Sequence, residues 1–391
     1  MPTLYLHIPF CRQRCTYCDF YFVTTAGSHA PFLSALQVEI EHYAAEHGAK
    51  PFETLYFGGG TPSRLADAEL ADIFGALYQG FAITDDAEVT LEVNPDDASV
   101  DYLRGLRALG VNRLSIGIQS FYDDDLRFMN RAHDAEQSAA VVEMARAAGF
   151  DNFSVDLIFG LPDQPAEYWA ANLQRVVEAG VPHVSAYSLT VEDRTVLGNQ
   201  VRRGLVKPLT DEAMAERFRF TMDYLREHGY EQYEISNYAL PGFRSQHNSR
   251  YWDHTNYLGF GPSAHSFWRR GLPRPSAQRW ANVRNLKQYE ALLQGHQLPI
   301  DFRETLSLGE LADEYIMLQL RTSDGIALDR LENEYGVDLF TEKLDDLAWL
   351  ENEEYIYPIR NSRLRLTDEG KRVADSVTAR LLLEPSALSR F

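Results

Sequence analysis

The sequence predicts an α/β fold: a partial (β/α)6 TIM-like barrel followed by a mainly helical, winged-helix-like module. Three observations predict it. Six short apolar or alternating runs are separated by amphipathic stretches, glycines follow several of these stretches, and polar motifs recur just after the runs.

The strand-like runs are Thr3–Ile8, Glu53–Phe57, Glu88–Val93, Asn112–Ile118, Asn152–Ile158 and Pro182–Ser188. Helix-like stretches cover Pro31–His47, Asp67–Gln79, Val100–Leu109, Asp134–Ala148, Ala166–Ala179 and Asp211–His228. Gly110, Gly149 and Gly180 follow three of them, where a left-handed cap is expected, and the last ends at Gly229. Strands alternating with helices imply parallel pairing through crossover helices. Six units are too few for a closed eight-unit barrel, so the sheet should stay open.

After residue 235 the pattern changes. Residues 236–300 are rich in Asn, Tyr, Trp, Gly and Pro, show little periodicity, and read as an aromatic-rich connecting region. Residues 301–391 read as helices over Leu308–Leu320, Leu328–Tyr335 and Leu339–Leu350. A hairpin over Ile356–Leu366 turning at Asn361-Ser362 comes next, then a helix over Glu369–Leu382. This divides the chain into 1–235 (barrel), 236–300 and 301–391.

The net charge of −20 argues against general nucleic-acid binding, which needs Lys and Arg to neutralise phosphates. Helices followed by a two-stranded wing often bind DNA. Here residues 301–391 carry 11 basic against 20 acidic residues, so a packing or protein-binding role is expected. No run is long and apolar enough for a membrane helix, and no export signal opens the chain. With reduced thiols, a cytoplasmic location follows as an expectation, free or peripheral at the membrane.

All three cysteines lie within eight residues, as Cys11, Cys15 and Cys18 in HIPFCRQRCTYCDF. Three thiolates so close suit a soft metal or an iron–sulfur cluster. A disulfide framework would leave one cysteine over, and a closed zinc site would need a fourth ligand such as His7. A 4Fe-4S cluster on three cysteines keeps one iron open. That iron can chelate the amino and carboxylate groups of S-adenosylmethionine, whose sulfonium a reduced cluster can cleave to a radical.

The remaining motifs fall where catalytic groups sit in (β/α) barrels, at the C-terminal ends of the strands. Gly58-Gly59-Gly60-Thr61-Pro62 follows the second run, where glycines allow close backbone approach to a ligand. Glu92 ends the third run, Gln119 follows the fourth, Asp156 is near the end of the fifth and Ser188 ends the sixth. With the cysteine loop, which follows the first run, all six sets should meet at one mouth.

With HIPFCRQRCTYCDF, YFGGGTPS, LEVNPD, RLSIGIQSF, LRFMNRAH and DLIFGLP, the chain resembles the oxygen-independent coproporphyrinogen III oxidase branch of the radical S-adenosylmethionine superfamily. The resemblance implies that Cys11, Cys15 and Cys18 bind the 4Fe-4S cluster. It also implies that Tyr5, Tyr17, Gly59, Gly60, Thr61, Glu92, Gln119, Arg131, Asp156 and Ser188 line the S-adenosylmethionine site. Chemically, Glu92 can accept from the methionine ammonium, Arg131 can meet its carboxylate and Asp156 can accept from ribose hydroxyls.

Two functions compete within that branch. The oxidase pattern has a fourth cysteine and a segment before the first strand; here Phe20 stands at the fourth position and the first run starts at Thr3. The HemW-type haem chaperones lack that cysteine and carry HNxxYW, which stands here as His247-Asn248-Ser249-Arg250-Tyr251-Trp252. The resemblance implies haem binding through His247, Asn248, Tyr251 and Trp252, since an imidazole can ligate iron and aromatic rings can face a porphyrin. A packing role for the same residues is the alternative. His265, in GPSAHSF, is a second candidate beside residues that mark a turn. Haem, a haem-acceptor protein (a respiratory one, for example) and a reductant such as a flavodoxin are the implied partners.

Overall fold

A computed structural model describes residues 1–24, 27–270 and 276–383. Its centre is a run of six parallel strands in sequence order: β1 (Thr3–Ile8), β2 (Pro51–Gly59), β3 (Ala82–Val93), β4 (Arg113–Gln119), β5 (Phe153–Phe159) and β6 (His183–Ser188). All six predicted runs are strands. β2 and β3 begin earlier than the apolar patterns suggested, because Pro51 and Phe52 pair with Ala82 and Ile83 ahead of a register shift. The barrel helices are α1 (Ala30–His47), α2 (Asp67–Gly80), α3 (Val100–Ala108), the short α4 (Asp123–Phe128), α5 (Ala135–Ala147), α6 (Ala166–Glu178), α7 (Val196–Arg202) and α8 (Asp211–Glu227). Gly110, Gly149, Gly180 and Gly229 all adopt positive φ after their helices, as the cap argument requires.

The region 236–300 differs from its reading as a connector. It supplies α9 (Gln246–Trp252) and, with Glu231–Gln232 (β7), the strands β8 (Asn237–Ala239), β9 (Tyr257–Phe260), β10 (His265–Arg270) and β11 (Ser276–Asn282), then α10 (Leu286–Gln294). β9 adds in parallel to β1, and β10, β11 and β12 (Ile300–Leu306) continue antiparallel. β8 and β7 close the opposite edge beyond β6. One sheet of twelve strands results, in the order β12-β11-β10-β9-β1-β2-β3-β4-β5-β6-β8-β7. These strands lack apolar–polar alternation because both of their faces are largely covered. Leu258, Phe260, Trp268 and Trp280 join the barrel core, while Phe267 and Ala277 join a second core.

That second core belongs to the C-terminal module: α11 (Leu308–Gln319), β13 (Ile326–Ala327), α12 (Leu328–Tyr335), α13 (Leu339–Asn352), β14 (Arg363–Leu364), α14 (Asp368–Arg372) and α15 (Ala374–Leu381). The predicted wing is present. Arg360 bridges Arg363 around Asn361 and Ser362, both at positive φ as a tight hairpin turn demands. The predicted last helix is interrupted at Val373 (φ −120°, ψ 26°), giving α14 and α15. Among the described residues no helix is long and apolar enough to cross a membrane.

Candidate functional site at the C-terminal ends of the strands

The C-terminal ends of β1–β6 open into a cavity of about 530 Å³. Its wall includes Cys11, Cys15, Cys18, Tyr17, Gly59, Gly60, Thr61, Glu92, Gln119, Arg131, Asp156, Ser188 and Asn248. The structure thus brings together nine of the ten residues expected around S-adenosylmethionine, and all three cysteines. Tyr5 stands behind the wall: its ring stacks on Tyr56 at 6.1 Å and its hydroxyl is 3.2 Å from His7 Nδ1.

The cysteine loop leaves β1 and is clasped on two sides. Cys11 N–H donates to the Val23 carbonyl and Val23 N–H to the Pro9 carbonyl, closing the loop on itself. Gln13 and Thr16 side chains donate to the carbonyls of Asn130 and Phe128, and Asn130 donates back to Arg14 O at 2.7 Å. The same segment presents Arg131, which donates to Asn94 Oδ1 (2.7 Å), Gly117 O (2.9 Å) and Cys15 Sγ (3.5 Å). Thr61 donates to Cys11 Sγ at 3.5 Å. Arg12 pairs with Asp96 and Asp97 just beyond β3.

The glycine run is explained by what surrounds it. Gly59 has φ +108°, and a Cβ there would lie 2.5 Å from His7 Nδ1; one on Gly58 would lie 2.8 Å from a Glu92 carboxylate oxygen. Glu92 accepts from the Tyr56 hydroxyl (3.0 Å) and the Gly59 N–H (3.2 Å). Burial, reinforced by the charge of Asp156, pushes its carboxyl up to about 7. Asp156 accepts from Ser115, and burial raises it too. Glu92, Asp156 and Arg131 thus line one cavity, the two carboxylates half-buried beside the guanidinium-bearing segment.

The thiols fit an iron–sulfur cluster. Burial raises Cys11 to about 11 and Cys18 to about 12, so both are protonated at neutral pH until a cation displaces the protons. Among the described residues no three His, Cys, Asp or Glu side chains are set for a single metal ion. A cubane takes its ligands on three different irons and needs no such convergence.

The HNxxYW segment forms α9, which packs against β2 and β3 and turns His247 into the interior. Glu88 on β3 accepts from the N–H groups of Gln246 (3.0 Å) and His247 (2.9 Å), satisfying its first turn. His247 is 1% exposed, and both ring nitrogens are engaged, with Thr54 Oγ1 at 2.7 Å and the Tyr251 hydroxyl at 3.1 Å. Its ring stacks on Tyr56 at 4.8 Å, and Tyr251 packs edge-on against Tyr257. Of the four haem-site candidates only Asn248 reaches the cavity. Burial pushes His247 down to about 3, so its imidazole is neutral.

Several cavity residues were not singled out in the sequence: Tyr56, Asn94, Ser115, Gly117, Ser185 and Tyr187. The signal was available. Counting back by twos from Gln119 reaches Gly117 and Ser115, and Ser185 and Tyr187 alternate on β6.

The comparisons with known proteins agree with this architecture. The family model of the radical SAM superfamily matches residues 5–176, and that of the HemN C-terminal domain matches 306–373. A haem chaperone HemW of Mycobacterium tuberculosis is 36% identical, covering 97% of this chain and 94% of the relative. One of Bacillus subtilis is 34% identical over 98% of this chain and all of the relative. A mitochondrial radical S-adenosyl methionine domain-containing protein 1 of Bos taurus is 35% identical, covering 97% and 87%. The structure of the coproporphyrinogen III oxidase HemN from Escherichia coli superposes with a TM-score of 0.83 and 26% identity, covering 97% of this chain and 90% of that one. The chain belongs to the HemW-type haem chaperone family, within the oxygen-independent coproporphyrinogen III oxidase-like branch of the radical S-adenosylmethionine superfamily.

Proposed function

We propose that this protein is a haem chaperone that binds haem together with a 4Fe-4S cluster and S-adenosylmethionine, and passes haem to an acceptor protein in the cytoplasm. The observation that carries this reading is the near full-length likeness to relatives named haem chaperone HemW. Phe20 supports it: it is 71% exposed at the cavity wall, at the position of the fourth cysteine of the oxidase pattern.

In this reading Cys11, Cys15 and Cys18 hold the cluster, which supplies one-electron chemistry and an open iron. Glu92 accepts from the methionine ammonium of S-adenosylmethionine, and Arg131 meets its carboxylate. The Gly59–Thr61 backbone borders the same end, and Asp156 accepts from the ribose hydroxyls. Tyr17, Gln119 and Ser188 complete the wall, and Tyr5 supports it through Tyr56. Asn248, Tyr251 and Trp252 carry α9, whose opening would be needed before His247 could reach iron. The acidic C-terminal module offers a surface for the acceptor or for a flavodoxin-like reductant.

Haem titration of the full chain, with and without the reconstituted cluster, tests the reading. Saturable uptake with a defined Soret band is expected, and no uptake in either state would end the proposal. The fold it shares with HemN favours a second reading, decarboxylation of coproporphyrinogen III. An anaerobic assay with dithionite, S-adenosylmethionine and coproporphyrinogen III separates the two, since protoporphyrinogen formation would select the oxidase.

A further inference from the structure

The inner face of the barrel does not end at β1. Tyr5 lies opposite Tyr56 on one side and Gly259 on the other. Phe267 pairs with Tyr257, so His265 falls beside Gly259, where a Cβ would strike the His265 carbonyl at 2.1 Å. His265 pairs with Ala281, and Ala281 with Phe302. One row therefore crosses the sheet as Tyr56, Tyr5, Gly259, His265, Ala281, Phe302.

One step along the strands, the C-terminal module covers this face: Phe267, Ala277 and Leu306 belong to its core, and Arg279 pairs with Glu304 and, on α11, with Glu314. The module stops short of the His265 row. His265 is exposed, Phe302 is 40% exposed, and their rings meet edge-on at 6.0 Å. Small residues, Gly259 and Ala281, flank the imidazole, so a flat molecule can approach it. Among the described residues neither ring nitrogen of His265 has a hydrogen-bond partner. Partial burial of the ring and the cations Arg279 and Arg284 shift it below the usual histidine value.

The same rim is tied to the cysteine loop. Arg284 donates to the Asp19 carbonyl at 2.9 Å, and Leu286 N–H donates to the Tyr21 hydroxyl at 2.6 Å. Phe20, between those two anchors, is an exposed aromatic at the cavity wall.

We propose that His265 is an axial ligand to haem iron, with Phe302 against the porphyrin face and Arg284 toward the propionates. This rests on the haem-chaperone reading and names the ligand for it. The chemistry required is a free neutral imidazole beside an open aromatic face with cations at its edge. His265 has all three, whereas His247 has both nitrogens engaged in the interior.

The test is haem titration of the full chain by absorbance and by low-temperature EPR, comparing the parent with His265→Ala, His265→Gln and His247→Ala. His265 is exposed, so its variants should fold; circular dichroism checks this. Loss of the histidine-ligated Soret and EPR signature, with about tenfold or more weaker binding, is expected in both His265 variants, and added imidazole should restore the signature. Phe302→Ala and Arg284→Ala should weaken binding less and keep the signature. An unchanged spectrum and affinity in His265→Ala would overturn the assignment while leaving the chaperone reading intact. Absence of haem uptake by the parent chain would overturn both.

Discussion

The two ends of the barrel interior hold similar side chains and use them in opposite ways. Toward the C-terminal ends of the strands, Glu92, Asp156 and Arg131 face a cavity. Toward the N-terminal ends, Glu88, Arg113, His183 and His247 are sealed. There the charges are matched within the protein. Glu88 accepts from α9 and lies 3.9 Å from Arg113, and His183 is 2.8 Å from the Tyr233 hydroxyl. In the open half Glu92 and Asp156 accept from neutral donors, Tyr56, Gly59 and Ser115, and burial raises both carboxyls. A buried charge needs a partner. The sealed half supplies that partner from the chain itself, whereas the carboxylates of the open half border a cavity.

Removing the groups that distinguish the halves should have different consequences. The largest effect is expected at the cysteines. Replacing Cys11, Cys15 and Cys18 together by alanine should take bound iron after anaerobic reconstitution from about four per chain to none, measured by iron analysis and visible absorption. Stoichiometric zinc in the parent protein would defeat the cluster assignment. In the sealed half, Glu88→Ala should cost about 3–5 kcal/mol of stability, because it strands Arg113 in the interior and uncaps α9. Urea denaturation reads this, and a loss below about 1 kcal/mol would mean that the pairing contributes little.

The corresponding change in the open half should leave stability nearly unaltered. Glu92→Gln is expected to weaken S-adenosylmethionine binding by about 10- to 100-fold, the size of a hydrogen bond to a charged group, by equilibrium dialysis. Because Glu92 titrates at about 7 and the ligand's ammonium selects the ionised form, affinity in the parent should rise as pH rises toward and through that value. A flat profile would remove Glu92 from the ammonium site.

The smallest effect concerns Glu39 on α1, a sealed carboxylate with donors but no cation. It accepts from Gly261 N–H, Asn282 and Tyr289. Burial nevertheless raises it from 4.5 to about 7. The folded chain therefore holds this proton more tightly than the unfolded one. The stabilisation is complete below 4.5 and is lost as pH rises through about 7. Glu39→Gln should flatten that slope in thermal denaturation; an unchanged slope would place its origin elsewhere.

The barrel was legible because its signals are local. Period-two runs, amphipathic helices and the left-handed caps at Gly110, Gly149 and Gly180 depend on neighbours in sequence. The hairpin at Asn361-Ser362 was legible for the same reason. The strands β9–β11 were not, since both of their faces are largely covered, by two different cores, and they show no alternation. Tyr5 was placed at the cavity by family resemblance, yet its ring lies one layer behind, stacked on Tyr56.

By itself the sequence determined the six-strand order, the cysteine loop and the position of each motif at a strand end, because chain direction and side-chain alternation put them there. Which histidine is free was decided by tertiary structure alone. His247 and His265 both stand in aromatic, glycine-containing surroundings along the chain. Only the packing of α9 against Thr54, Tyr56 and Glu88 closes the first, and only the edge of the C-terminal module leaves the second open. Exposure is a property of what distant segments cover, and no local pattern records it.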